Sequence, residues 1–418
     1  MLFKLARQSL WNRRSTAALT LVSLMISVLL LLGIDHLRNQ ARDSFSQTLS
    51  GTDLIVGARS GQLNLLLYAV FRMGNPTNNI SWESYQEIAG HPAVAWTVPL
   101  SLGDSHRGFR VLGTTTDYFE HYRYGQRHPL RFAEGRAFDD VYDAVLGAQV
   151  ARELGYTLGR EIVVAHGTGS VSFARHEDHP FTVVGILAPT GTPVDRTVHV
   201  SLEGIEAIHI GWGDGAPRRG AQPDPEQVRA MDLTPESITA FMVGLNSRAM
   251  TFTLQRQIND YRQEPLTAIL PGVALTELWQ MLAMVENLLY VITFMVLLAS
   301  LIGMATMLLA SMKERQREVA ILRAVGASGG YLFWLIELEV LLLALLGVIG
   351  GTVLLSIVLW VAQPLLASEF GLFIALNPLQ DQTLWIAGGI VALAGVVGLV
   401  PAWVGYRRAL SDGLNPRL

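Results

Sequence analysis

The chain contains no cysteine. No disulfide can close a loop, and thiolate metal sites and cysteine nucleophiles are excluded. Lysine is almost as scarce: Lys4 and Lys313 are the only two. Neither stands in the Gly-Lys-Ser/Thr context through which a Walker A loop reaches nucleotide phosphates, since Lys4 lies between Phe3 and Leu5 and Lys313 between Met312 and Glu314. The chain therefore does not hydrolyse ATP with a P-loop of its own. A Gly-x-Ser-x-Gly elbow, a His-Glu-x-x-His helix and an EF-hand pattern are also missing, and Asp214-Gly215 lacks the rest of a calcium loop. Gly159, Gly167 and Gly169 read as turn glycines with no helix after them, which leaves no phosphate cradle. Charged residues make up only 16% of the 418, half are hydrophobic, and mean hydropathy is +0.34. That balance describes a chain divided between bilayer and water.

The division is visible along the chain. A helix crossing a hydrocarbon core of about 30 Å needs about 20 apolar residues, and four uncharged stretches meet that length: 15–34, 287–312, 340–368 and 382–406. Arginine and lysine in the short flanks set the orientation. Lys4, Arg7, Arg13 and Arg14 precede the first stretch; Lys313, Arg315, Arg317 and Arg323 follow the second; Arg407, Arg408 and Arg417 follow the fourth. The connection at 369–381 has none. Both termini are expected in the cytoplasm and the long segment between spans one and two outside it. Span one carries no small-x-small cleavage site and continues its apolar pattern, so it reads as a signal anchor.

The outer segment, 37–283, holds 26 acids, 20 arginines and nine of the ten histidines; its acid excess argues against nucleic acid as a partner. Ile34, Leu37, Ala41, Phe45 and Leu49 keep helical spacing beyond span one, and Val273, Leu278, Met281, Leu282 and Val285 do so before span two. Helices extending unbroken from the membrane would stand about 20 Å above the hydrocarbon core and form a paired stalk; two ordinary amphipathic helices lying on the domain are the alternative. Strands are expected at 53–57, 93–100, 109–114, 241–245 and 266–270, with helices near 63–73, 82–89 and 251–262. This is a split α/β unit interrupted by a strand-rich insertion at about 115–236, with strands at 144–146, 161–165, 181–187 and 194–200 and a helix at 148–154. The Gly/Pro-rich stretch 211–227 reads as an exposed loop.

His176 and His179, with Glu177 and Asp178 between them and His166 nearby, form the one candidate zinc cluster; a solvated polar loop is the competing reading. His121, His128, His199 and His209 read as paired surface histidines. The apolar run 62–72 is either core or a face for a lipid-bearing or protein partner.

The loop after span two reads ERQREVAILRAVGAS over 314–328. Charged Glu314, Arg315, Arg317 and Glu318 precede apolar Ile321 and Leu322, Arg323 returns, and Gly326 ends the helix. Such a helix suits docking into a groove on a soluble partner, and is equally the pattern of a solvated positive-inside loop. The run resembles the signature of the FtsX-like, MacB-type ABC transporter permease family, which includes macrolide-export and lipoprotein-release permeases. In that family a Glu precedes a Leu-Arg-Ala-x-Gly-Ala-Ser run, matched here by Glu318, Leu322, Arg323, Ala324, Gly326, Ala327 and Ser328. Glu339, eight residues before Gly347, and Pro401-Ala402 are also similar to family features. The resemblance covers about 287–410 and the one-plus-three span layout. It implies an integral membrane α-helical protein of the bacterial inner membrane, with four transmembrane helices and a large α+β extracytoplasmic domain.

The expected division is a cytoplasmic segment 1–14, span one 15–36, a periplasmic core domain 37–283, span two 284–312, a coupling loop 313–328, span three 329–362, a periplasmic loop 363–381, span four 382–406 and a cytoplasmic tail 407–418. The family further implies a dimer with a second copy or a paralogue, bound to a separate ABC-type ATPase that holds ATP and magnesium. No cofactor is expected in this chain. Lys313, Glu314, Arg315, Arg317, Glu318, Leu322, Arg323 and Gly326 would receive the force of ATPase closure. The cargo is expected to be a lipoprotein, peptide or small molecule, with a periplasmic adaptor or lipoprotein and membrane lipid as further partners. Spans one, two and four lack internal ionisable residues, so no polar route crosses them; Glu337 and Glu339, at the start of span three, are expected to pair with Arg323 or to snorkel. A regulator of a periplasmic enzyme, or an outer metal-binding component, is the alternative.

Overall fold

A computed structural model describes residues 2–125, 127–167, 179–210, 212–213, 216–217, 224–314, 321, 324–370, 376–379 and 381–411. The contacts separate the chain into a membrane unit (Met1–Gln40, Leu282–Leu365 and Ile374–Leu418) and an outer unit (Ala41–Met281 and Leu366–Phe373).

In chain order, α1 (Leu2–Asn12) gives way after Arg13 to α2 (Arg14–Gln47), 34 residues without a break. There follow β1 (Leu54–Ala58), α3 (Gln62–Ala69), α4 (Trp82–Ala89), β2 (Val94–His106), β3 (Phe109–Thr114) and α5 (Asp117–His121). Next come β4 (Phe132–Gly135), β5 (Asp143–Leu146), α6 (Ala148–Leu154), β6 (Phe181–Leu187), β7 (Thr197–Ser201) and α7 (Leu202–His209). Then β8 (Ala240–Leu245), α8 (Thr251–Asn259) and β9 (Leu266–Ile269) lead into α9 (Pro271–Glu314), α10 (Gly329–Phe370) and α11 (Asp381–Ser411). The starts and stops have local causes. Ser81 and Ser201 cap α4 and α7 by accepting from Ser84 N and Gly204 N, and Gly155, at φ +65°, closes α6.

The outer unit is built on one large sheet in the order β9-β1-β8-β2-β3-β7-β5-β6-β4, with two short strands off that path. Strand β2 joins its two parts. Its first half pairs with β8, Val98 opposite Met242 and Leu100 opposite Ala240; its second half pairs with β3, Leu102 opposite Leu112 and His106 opposite Phe109. A strand expected to stop at residue 100 thus runs on to His106, through a bulge between Leu102 and Ser105. The turn into β3 uses Arg107 and Gly108 at φ +48° and +89°, the paired positive angles that suit a tight hairpin. The strands of the inserted region join this same sheet: β7 lies parallel to β3, Val198 opposite Val111.

Strands β1, β5 and β7 are buried at every position, as befits a sheet covered on both faces. One apolar cluster lies under α3 and α5 around Leu65, Tyr68, Tyr118 and Phe119; a second joins β5–β7 to α6 and α7 through Val150, Phe181, Val198 and Ile205; a third holds α4 and α8 through Tyr85, Ile88, Phe241 and Leu254. The run 62–72 is part of this core, with Leu65, Leu66, Tyr68 and Ala69 all at most 2% exposed. The helix α7 and the one-turn α5 were not expected from the sequence.

Among the described residues, four helices are long and apolar enough to cross a bilayer: Arg14–Gln40, Pro271–Met312, Gly329–Gln363 and Asp381–Arg407. Apolar side chains point outward along them, Leu19, Val22 and Ile26 on α2 and Leu288, Val291 and Met295 on α9, where lipid replaces water as solvent. Both α2 and α9 are unbroken helices; the side chains of Ala41 and Phe45, part of the expected stalk, lie outside the described residues.

Candidate functional site in the transmembrane bundle

Of the eight residues expected to couple, Arg315, Arg317, Glu318, Leu322 and Arg323 lie outside the described residues, as do the side chains of Lys313 and Glu314 at the end of α9. Gly326 is described. Val325 N donates to Ile321 O (3.1 Å), closing a helical turn, and Gly326 then takes φ +96°, a left-handed conformation that a side chain would oppose. Two residues on, Ser328 Oγ accepts from Tyr331 N (3.3 Å) and starts α10. Ile321 and Val325 are 57% and 84% exposed.

Above this loop the bundle is joined at three levels. Next to it, Arg13 Nη2 donates to Ser311 O (2.9 Å), tying the start of α2 to the end of α9. Deeper in, Ser300 of α9 sits 2.9 Å from the Ser23 hydroxyl and 2.7 Å from that of Ser27. Helix α2 meets α10 along a row of glycines: a Cβ at Gly347, Gly350 or Gly351 would come within 2.5, 2.8 and 2.7 Å of Leu24, Met25 and Val28 side chains respectively. Backbones approach closely because the side chains are absent.

The third level is a polar clasp at the far ends of the spans. Asp35 is 3% exposed. Its Oδ1 accepts from Tyr290 Oη of α9 (2.9 Å) and Gln382 Nε2 of α11 (3.1 Å), and its Oδ2 from Asn39 Nδ2 (3.3 Å). Beside it Arg38 Nε lies 2.8 Å from Glu286 and its guanidinium sits over the Tyr290 ring, 5.7 Å from the centroid. These residues were not singled out from the sequence. The available signal was an Asp directly after a long uncharged run, with Tyr290 and Gln382 at the same depth on other spans.

Glu337 and Glu339 do not snorkel. They are 5% and 0% exposed, and the Glu337 carboxylate faces α11, where a Cβ at Gly398 would come within 3.0 Å of its Oε2. The two glycines of α11 at 395 and 398 make the room that draws the carboxylate inward instead of toward water. Arg323 lies outside the described residues.

Of the zinc candidates, the side chain of His179 alone lies among the described residues. His176 and the His166 side chain lie outside them. His179 is buried, 1% exposed, with Nδ1 3.0 Å from Tyr142 Oη and its ring stacked on that tyrosine at 8°. His199 corrects the surface reading: it is fully buried, because β7 lies between β3 and β5 with both faces covered. Its Nδ1 faces Val145 O at 3.2 Å and its ring packs on Tyr118 and Phe119, and burial pushes its pKa down to about 3. His106 is lowered as well by burial, against a hydrogen bond to Val163 O. Asp117, Glu120 and His121 bring three ligand atoms within 4.8 Å of one another on α5, a spacing of three and four residues that helical geometry explains; both carboxylates are exposed, and the imidazole stacks on Trp96.

Four membrane-crossing helices, one ahead of the outer unit and three behind it, define a multi-pass membrane protein with a large α+β outer domain. The family model described as the MacB-like periplasmic core domain matches residues 17–261, and that of the FtsX-like permease C-terminal region matches 290–411. The chain therefore belongs to the FtsX/MacB-type family of ABC transporter permeases, multi-pass proteins of the inner membrane. Among solved structures it is similar to the periplasmic region of MacB from Actinobacillus actinomycetemcomitans, at 11% identity and a TM-score of 0.35, covering 55% of this chain and 94% of that one. It is also similar to the extracellular domain of the noncanonic ABC-type transporter YknZ from Gram-positive bacteria, at 15% identity and a TM-score of 0.31, covering 52% and 99%. No curated protein sequence matches it.

Proposed function

We propose that this permease turns ATP hydrolysis on a separate ATPase subunit into a conformational change of its periplasmic domain, and so drives export or extraction of a lipoprotein, peptide or small molecule. What carries the reading is α9. It begins at Pro271, two residues after the last strand ends, and continues as one helix of 44 residues to Glu314 in the loop segment 313–328, and this continuity supports transmission of a push on the loop. ATP and magnesium belong to the partner; the two lysines of this chain offer no P-loop. The basic flanks support a cytoplasmic position for both termini and the loop, with a second permease copy or a paralogue completing the assembly.

Lys313, Glu314, Arg315, Arg317, Glu318, Leu322, Arg323 and Gly326 are proposed as the ATPase-facing segment, and the exposure of Ile321 and Val325 supports a partner there. A groove of about 960 Å³ in the outer unit, lined by Asp53, Arg248, Phe252, Val273 and Glu277 among others, supports a cargo or adaptor with both apolar and charged groups. Replacing Arg317 and Glu318 by alanine is expected to weaken co-purification of the ATPase; an undiminished yield of complex would count against the docking role.

A further inference from the structure

Helix α1 carries an observation that the permease reading does not use. It turns Ala6 inward at 0% exposure, with Leu2, Leu5, Ser9 and Leu10 partly buried alongside. At 3.6 residues per turn Phe3, Lys4, Arg7 and Trp11 gather on the opposite side, and all four are exposed, Phe3 at 57% and Trp11 at 73%. From residue 2 to residue 14 there are four basic residues and no acidic one. Only Arg13 separates α1 from the membrane-crossing α2, and that arginine is itself bonded to the end of α9 through Ser311 O. The open face therefore belongs to a segment that starts where two spans end. Exposed indole and phenyl rings among cations are ill-suited to bulk water, but match the boundary between headgroups and acyl chains, where aromatic rings are enriched and basic residues meet anionic lipid.

We propose that α1 is a docking element for acidic phospholipid headgroups: Lys4 and Arg7 hold phosphate oxygens, while Phe3 and Trp11 insert beside the acyl chains. Charge complementarity and continuity with span one single out lipid over a soluble partner. The proposal stands apart from the ATPase-coupling reading and survives if that reading fails.

Because the chain lacks cysteine, a Gln8→Cys variant of the full-length protein takes a single environment-sensitive fluorophore next to this face. Reconstituted in nanodiscs of phosphatidylcholine mixed with phosphatidylglycerol, the probe is expected to report an apolar setting; in phosphatidylcholine alone it moves toward water. Adding K4Q and R7Q should abolish the difference. At about 1 kcal/mol per basic residue near an anionic surface, removing two lowers the docked-to-free ratio about 30-fold. Emission that is the same in both disc types overturns the proposal, whether it is apolar (insertion without headgroup recognition) or water-like (a face for a soluble partner). The lipid comparison needs no charge variant, so misfolding of K4Q/R7Q cannot decide the result.

Discussion

Tyr290 donates a hydrogen bond to Asp35 across 2.9 Å, joining spans that are 255 residues apart in the chain. Gln382 reaches the same carboxylate oxygen from a third span. A carboxylate at 3% exposure depends on such donors, because an ionised group without partners is costly at that depth.

Tyr290→Phe and Gln382→Ala are each expected to lower the stability of the full chain in detergent by about 1–2 kcal/mol, and Asp35→Ala by more, since it orphans both donors. Thermal unfolding of single and double variants measures this. Strict additivity of Y290F and D35N would show that the two residues are not coupled.

The contact between α2 and α10 predicts a steric limit. Gly351→Val places a side chain where a Cβ alone would come within 2.7 Å of Val28, and overpacking of this kind costs about 1–3 kcal/mol. Val28→Ala is expected to restore part of the loss. If G351V melts like wild type, the helices do not pack along this row.

We propose that residues 38–282 form an autonomous domain, and that segment alone is expected to be soluble and cooperatively folded. Persistent aggregation would show that the domain limits are wrong.

Within that domain His199 sets an acid limb. Its pKa falls from 6.5 to about 3 because burial disfavours the imidazolium, with Arg72 adding to the effect. The folded state then binds fewer protons than the unfolded one between about pH 3 and 6.5. Stability from this group is complete above 6.5 and is lost as pH falls toward 3, on the order of 5 kcal/mol in all. His199→Leu is expected to flatten denaturant midpoints across that window; an unchanged acid slope would rule out His199 as the cause.

Glu206 acts with the opposite sign. Burial, with Glu236 nearby, raises its carboxyl from 4.5 to about 7. The folded state holds this proton more tightly, so stability is full below about pH 4.5 and declines as pH rises through 7. Glu206→Gln is expected to remove the decline, by an amount reduced by the partial exposure of the side chain. If wild type and E206Q keep parallel profiles from pH 4.5 to 8, Glu206 does not titrate in this way.

Much of the molecule is readable from local pattern. The four spans follow from uncharged length, since bilayer thickness and helical rise leave one answer, and β1, β3, β6 and β8 fall where alternating or continuous apolar runs place them. The loop signature is likewise a local feature, and the match of the FtsX-like permease region over 290–411 agrees with it. Where the pattern misled, polar residues obscured a strand or a buried position. Ser101, Gly103, Asp104 and Ser105 look like a loop, yet they continue β2 because β3 and a short strand supply partners on either side. His199 looks like a surface histidine and is enclosed.

By itself, then, the amino-acid order determined which segments enter the bilayer, where most strands of the main sheet lie (though not Phe132–Gly135) and which family the loop resembles, because each depends on neighbours a few residues away. Only the tertiary structure decided that the inserted strands join the main sheet, that Glu337 turns toward two glycines of span four, and that Asp35 clasps two distant spans. Those outcomes depend on which donors and which gaps lie opposite a residue from far along the chain, and local periodicity carries no record of that.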